Sequence, residues 1–289
     1  DPDANSQNSQ ESVQNITEWL APTEYSSEAS EFRKHVGVHV PGTGNWIFST
    51  HQFEKWSQSE DVGTLWIKGI PGSGKSVVAA NLIKTFLEKE NHLVLYFFFR
   101  HIVDSNSKPI FLVRDFLAQL LPHSIQLASQ LKRLMANFPD IETAPIKDLW
   151  DALLTSLATP AQVFIIVDAL DEVQVGQEAF ITDSLLKMNF MRPQAIKLMV
   201  TSRPLPGFEM PSETAHTTIL RLSGKLVDLD ILAYISHRLD SQQQRHLNQE
   251  EISSIKGRSC GKEHDLFLQT RLMLDEVLRS NEPIQSLLE

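Results

Sequence analysis

The 289-residue chain has a single cysteine, Cys260, so it forms no internal disulfide and suits a reducing compartment. Long hydrophobic runs are missing too. The longest, around Leu93 to Phe99, falls far short of the ~20 residues that a membrane-spanning helix needs. Basic charge is scarce: 26 Lys and Arg stand against 36 Asp and Glu, a net charge of -10. A non-specific nucleic-acid binder needs basic surface to displace counterions, and no basic patch is visible. The N-terminus is polar and acidic, with no signal-peptide core. These absences predict a soluble cytoplasmic protein with no nucleic-acid partner and no membrane contact from this segment. Apolar residues make up 42% of the chain, enough for one large domain or a domain with an appended piece.

The stretch Gly69-Ile-Pro-Gly-Ser-Gly-Lys75-Ser76 fits the phosphate-loop pattern G-x-x-x-x-G-K-[ST] without a mismatch. Its setting fits as well. Leu65 to Lys68 reads as a short buried strand, and Ser76 to Glu88 carries helical periodicity through Val77, Val78, Leu82, Ile83, Phe86 and Leu87. Glycines let backbone N–H groups turn inward around an anion, and the following helix N-terminus adds partial positive charge. Gly69, Ile70, Pro71, Gly72, Ser73, Gly74, Lys75, Ser76 and Val77 are therefore the expected nucleotide-binding residues. Lys75 is placed to reach the β- and γ-phosphates, and the Ser76 hydroxyl to hold Mg²⁺. The competing reading is a flexible glycine-rich turn between a strand and a helix.

Around this loop the chain divides into a disordered tail (1–12), a helical and turn segment beside the base pocket (13–60), a nucleotide-binding core (61–225) and a helical lid (226–289). In the second segment, Val13 to Leu20 predicts a short helix, while 25–40 is mixed. His35 and His39 have helical spacing but no third ligand, so they read as surface residues rather than metal ligands. Pro41-Gly-Thr-Gly-Asn-Trp46 is a tight turn. Thr43 and Trp46 either wall the base pocket or anchor the turn in the core. Ser49-Thr50 then caps a helix carrying Phe53 and Trp56.

Four more strands are expected: Leu93–Phe99, Val163–Asp168, Ile196–Thr201 and His216–Leu222. Helices are expected over 109–121, 124–137 and 145–158. The third strand delivers Asp168 at its carboxyl end, where open parallel sheets bind ligands. Its natural role is to hold Mg²⁺ beside Ser76. Asp171 and Glu172 follow, either to orient or deprotonate the attacking water or to begin the next helix as N-terminal acids. Arg203, after the fourth strand, either senses the γ-phosphate or pairs with the nearby acids. Beyond Leu222 only helices remain: 228–239, 249–255 and 266–278.

Taken together these stretches resemble a NACHT domain, the nucleotide-switch module of the STAND class of P-loop NTPases, in its fungal NOD-like receptor form. The resemblance rests on Gly42-Thr-Gly-Asn-Trp46 with Phe53 and Trp56, Leu65-Trp-Ile-Lys-Gly-Ile-Pro-Gly-Ser-Gly-Lys75-Ser76, and Tyr96-Phe97-Phe98. It extends through Arg114-Asp-Phe-Leu-Ala-Gln-Leu120, Asp168-Ala-Leu-Asp171-Glu172, Thr201-Ser-Arg203-Pro204, Leu222-Ser223 and Asp230-Ile-Leu-Ala-Tyr234-Ile235. It implies an α/β three-layer sandwich around a central parallel five-stranded sheet, with an extra strand between the two nucleotide-binding strands. It also implies a slow, switch-like NTPase that holds ADP in a resting monomer. ATP or GTP, with Mg²⁺, then favours self-association that gathers the effector and sensor domains of a larger chain. Such receptors signal in innate immunity and in fungal heterokaryon incompatibility. On matched positions Lys75, Asp171, Glu172 and Arg203 carry catalysis, and Ser76 and Asp168 hold the metal.

Two departures stand out. The family's Gly followed closely by Phe-Leu is here split, with Lys262–Leu266 inserted between Cys260-Gly261 and Phe267-Leu268. Glu263-His264-Asp265-Leu266 superficially resembles a winged-helix Met-His-Asp motif, but too little chain separates Leu222 from Glu263 to hold a lid and most of a winged helix. An excised central module, lacking that lock and exchanging nucleotide more easily than its parent, is the expectation. Two alternatives remain open. One is an AAA-type ATPase motor, opposed by Ala169 where such motors place a glutamate; the other is a non-hydrolysing scaffold.

Overall fold

The computed structural model describes residues 2–89, 92–190, 192–204, 216–222, 224–240, 249–259 and 267–279. Five strands form one all-parallel sheet in the order β2-β3-β4-β1-β5. They are β1 (Thr64–Lys68), β2 (Leu93–Phe98), β3 (Val163–Asp168), β4 (Ile196–Ser202) and β5 (Thr217–Arg221). Every residue of β1, β3 and β4 is buried, as both-face coverage of a parallel sheet requires. Alternate residues feed two separate cores. Trp66, Leu95, Phe97, Ile165 and Val200 enter one, while Leu65, Ile67, Tyr96, Ile166 and Met199 enter the other. The architecture is an α/β three-layer sandwich, as expected. The extra strand is β4, which separates β1 from β3.

The first core is closed by α1 (Pro2–Leu20), α6 (Pro109–Leu120), α7 (Ile125–Asn137), α8 (Ile146–Leu157) and α9 (Glu178–Phe190). The second is closed by α2 (Glu31–Val38), α3 (His51–Gln58) and α4 (Lys75–Leu87). A short α5 (Asp104–Ser107) precedes α6. Three further helices, α10 (Gly224–Asp240), α11 (Gln249–Ser259) and α12 (Phe267–Arg279), pack around Ile231, Ile235, Ile255, Leu274 and Val277. Arg238 on α10 pairs with Asp275 on α12.

Several elements differ from expectation. The tail expected over 1–12 is instead part of α1, which starts at Pro2. Ile16 and Leu20 are fully buried, and the Trp19 indole donates to Phe138 O at 2.8 Å. Once that end is anchored, each added polar residue costs the helix little. The mixed stretch 25–40 contains α2, whose first turn is capped by the Ser30 hydroxyl accepting from Arg33 N. No element was expected over 178–190, where α9 buries Ile181, Leu185 and Met188 at helical spacing. The insertion 262–266, with its His264, and Ser223 lie outside the described residues.

Three residues of the Arg114–Leu120 stretch each tie down a different part of the core. Arg114, 1% exposed, donates to Glu142 at 3.0 Å. Gln119 accepts from Tyr96 N at 2.8 Å and donates to Tyr96 O at 2.9 Å, so its amide stands in for the missing neighbour of edge strand β2. Asp115 accepts from the backbone N–H and hydroxyl of Thr23, holding the segment between α1 and α2 against α6. Burial pushes its carboxyl up to about 7, against the pull of the two Thr23 bonds. The folded state therefore holds this proton more tightly than the unfolded one. The resulting stabilisation is complete below pH ~4 and is lost as pH rises to about 7. Asp115→Asn, whose amide can keep both Thr23 partners, is expected to raise Tm at pH 8 but not at pH 4. Thermal melts across that range check it, and an unchanged wild-type-minus-variant difference would refute it.

Candidate functional site

Because all five strands run in one direction, the residues following β1, β3 and β4 share one sheet edge. The phosphate loop leaves β1 there. Gly72 and Gly74 take left-handed backbone, with φ of 77° and 90°, which lets successive amides turn the same way. At Gly69 the constraint is space: a Cβ would come within 2.6 Å of the Ser73 hydroxyl and 3.1 Å of Leu222 Cβ. Gly74 is the N-cap of α4 and supplies no side-chain cap, leaving the first amides of that helix available to an anion. The Ser73 hydroxyl is buried and has no hydrogen-bond partner among the described residues.

The Lys75 ammonium donates to Gly69 O at 2.7 Å and Ile70 O at 2.9 Å, folding back across the loop. Desolvation lowers its pKa, opposed by the fields of Asp168, Asp171 and Glu172. Those acids end or follow β3, and Asp168 accepts from the Ser76 hydroxyl at the end of the loop. Asp168 is 2% exposed. Burial raises its pKa, against hydrogen bonds from the Thr201 and Ser76 hydroxyls and the fields of His35 and Lys75. Thr201 is the central tie. Its hydroxyl donates to Asp168 Oδ1 at 2.6 Å and accepts from Ala169 N at 2.9 Å. That second bond holds Ala169 in left-handed backbone, φ 52°, an uncommon conformation for a residue with a Cβ. The chain thereby reverses into a 3-10 turn, Leu170–Glu172, six residues ahead of α9, so the two acids do not begin that helix.

Both oxygens of Asp171 are engaged by Arg203, one by its backbone N–H at 2.9 Å and the other by Nε. The salt-bridge reading of Arg203 is thus present in the structure, although its side chain remains 38% exposed. Glu172 differs: a single oxygen accepts from the His101 backbone N–H at 3.2 Å and lies 3.1 Å from the His101 ring.

The Gly42–Trp46 turn reaches the site through α4, since a Cβ on Gly44 would sit 3.5 Å from Val78. Thr43 is buried and its hydroxyl donates to Val40 O at 2.8 Å. The Trp46 ring packs half-buried on the core beside α4, and its N–H donates to Asp230 of α10 at 2.7 Å. Phe267, at the start of α12, approaches Gly74. His35 is not a surface residue: its half-buried ring stacks on Phe98 at 5.6 Å, and burial lowers its pKa. His39 lies 2.9 Å from Thr43 O. Among the described residues no group of three His, Cys, Asp or Glu could hold a metal unaided.

The structure therefore brings together the phosphate loop, Ser76, Asp168, Asp171, Glu172 and Arg203, with Thr43 and Trp46 at one side. Sequence reading assigned no role to Thr201, His101 or Asp230. Thr201 and Asp230 lay inside motifs that had been noticed, whereas nothing in the loop around His101 marks it.

The Nephrocystin 3, N-terminal family model matches residues 42–203, from the glycine turn to the arginine after β4. A curated relative, vegetative incompatibility protein HET-E-1 of Podospora anserina, is 26% identical over 208 residues. The match takes in 68% of this chain but only 15% of that protein's length. Among solved structures, C. elegans PCH-2 aligns over 98% of this chain and 66% of its own, with a TM-score of 0.42 and 10% identity. The family match spans more than half of the chain, which is a NACHT-like domain and belongs to the Nephrocystin 3, N-terminal family.

Proposed function

We propose that this chain is the nucleotide-switch module of a larger receptor, binding ATP or GTP with Mg²⁺ and hydrolysing it slowly. The observation that carries the reading is the phosphate loop itself. It combines two left-handed glycines, an uncapped α4 N-terminus and an orphaned Ser73 hydroxyl, opposite a buried carboxylate. The glycines let the amides face an anion without steric cost, while the unmet amides, the Ser73 hydroxyl and the buried carboxylate are costs that a phosphate group with its cation would relieve.

In this reading the amides of Gly72 to Ser76 bind phosphate oxygens, and Lys75 leaves the carbonyls of Gly69 and Ile70 to neutralise them. Ser76 and Asp168 would hold Mg²⁺, which would supply charge neutralisation there. With Asp171 committed to Arg203, Glu172 is the acid free to orient water. Asp171 instead keeps Arg203 at the edge of the cleft, from where its exposed guanidinium can meet the γ-phosphate. Ala169 in place of a second acid beside Asp168 argues against a fast motor.

Likeness to part of a vegetative incompatibility protein supports a signalling role, with effector and sensor domains as partners and self-association in the NTP state. Lys75→Ala is expected to weaken nucleotide binding by about 100-fold, the loss of charged hydrogen bonds to phosphate. Calorimetry giving wild-type affinity would move the site elsewhere. Glu172→Gln is expected to slow turnover by about 100-fold while leaving Kd unchanged, and undiminished phosphate release would remove Glu172 from the mechanism.

A further inference from the structure

Asp230 lies on α10, far in sequence from the phosphate loop, yet its carboxylate is 8% exposed and directed at the Gly42–Trp46 turn. Its Oδ1 accepts from Gly44 N at 2.8 Å, and Oδ2 lies 2.9 Å from the same N–H and 2.7 Å from the Trp46 indole nitrogen. Burial raises its pKa, while the Trp46 and Gly44 bonds and the field of His39 favour the charged form. Neighbouring donors of the turn are satisfied close by. Thr43 N and its hydroxyl both donate to Val40 O, and Ile47 N donates to Gly44 O. The Gly44 N–H reaches instead across 186 residues of sequence to α10.

The turn has two attachments. On one side Gly44 faces Val78 and Asn45 meets Asn81, both on the helix that begins with Lys75. On the other, Val40 belongs to the same apolar cluster as Val227, Ile231 and Tyr234 of α10. Asp230 closes that second attachment with hydrogen bonds that a carboxylate makes best, since both of its oxygens are acceptors.

We propose that Asp230 is a positioning residue that staples α10 to the Gly42–Trp46 turn and so keeps the helical segment closed over a bound nucleotide. The proposal rests on the nucleotide site described above. The staple acts on release: nucleotide leaves when α10 parts from the turn, and arrival through an open segment does not require the staple. The turn supplies shape at the base end, with the N–H groups of Thr43 and Gly44 committed to Val40 and Asp230.

The test uses the full chain and a fluorescent ADP with Mg²⁺, in wild type, Asp230→Ala, Trp46→Phe and the double variant. Asp230→Ala is expected to speed ADP dissociation at least about tenfold, with association changed less than about twofold. Trp46→Phe, which removes one bond and leaves Gly44 held, is expected to fall between. The double variant should release no faster than Asp230→Ala alone, because both changes break one staple. In nucleotide-free protein, hydrogen exchange should show lost protection at Gly44 in Asp230→Ala and retained protection in Trp46→Phe.

Wild-type dissociation and Gly44 protection in folded Asp230→Ala would overturn the staple while leaving the nucleotide site intact. Multiplied effects in the double variant would overturn it too, by showing that Trp46 acts independently of Asp230. If Asp230→Ala does not fold, Trp46→Phe decides alone: faster release supports the staple, and an unchanged rate contradicts it. Folded wild type that binds no ADP would instead refute the nucleotide site, and the staple's role with it.

Discussion

A carboxylate buried at the centre of a sheet edge is the constraint around which this structure is arranged. Asp168 has almost no contact with solvent, and an isolated charge in such a place is strongly disfavoured. Hydroxyls from two different elements face it: Ser76 at the start of α4 and Thr201 near the end of β4. Both can donate, yet neither carries charge, so the carboxyl remains costly and its pKa stays raised. That unrelieved cost is a physical reason to look for a cation there.

The same hydroxyl governs the acids that follow. Thr201 accepts from Ala169 and holds it in left-handed backbone, which turns the chain back over the sheet edge. Two adjacent acids then acquire different surroundings. Asp171 is paired with Arg203, while among the described residues Glu172 is hydrogen-bonded to the exposed His101. Adjacent residues of one chemical type thus take separate parts because a single bond upstream sets the turn. At the other side of the loop, Gly74 meets Phe267 and Gly44 meets Asp230, so helices distant in sequence touch the region through small residues.

Much of this was legible in the sequence, for identifiable reasons. Strands buried on both faces are unbroken apolar runs, and Val163–Val167 ending in Asp168 announced a strand that carries a carboxylate to the sheet edge. The phosphate loop is a local motif whose glycines answer to local backbone geometry, so its elements emerged where expected. What stayed hidden depends on contacts distant in the chain. The burial of His35 against Phe98 requires α2 to lie on strand β2, and its spacing from His39 said nothing of that. Asp230 reads as a polar helix residue until the fold brings Gly44 and Trp46 beside it. The choice for Arg203 between sensing and pairing was equally undecidable, because both partners lie at the same edge. α1 escaped notice over its polar first half because the residues that anchor it, Val13, Ile16, Trp19 and Leu20, lie towards its far end.

The central claim is that the loop from Gly69 to Ser76 holds a nucleotide. The most direct measurement is to denature the purified protein, identify the released nucleotide by chromatography, and repeat the procedure with Lys75→Ala. Close to one equivalent of ADP or GDP is expected from the wild-type chain and little from the variant. A folded wild-type chain that releases none, and takes up none when supplied with Mg²⁺ and nucleotide, would contradict it and favour a scaffold that acts through protein contacts alone.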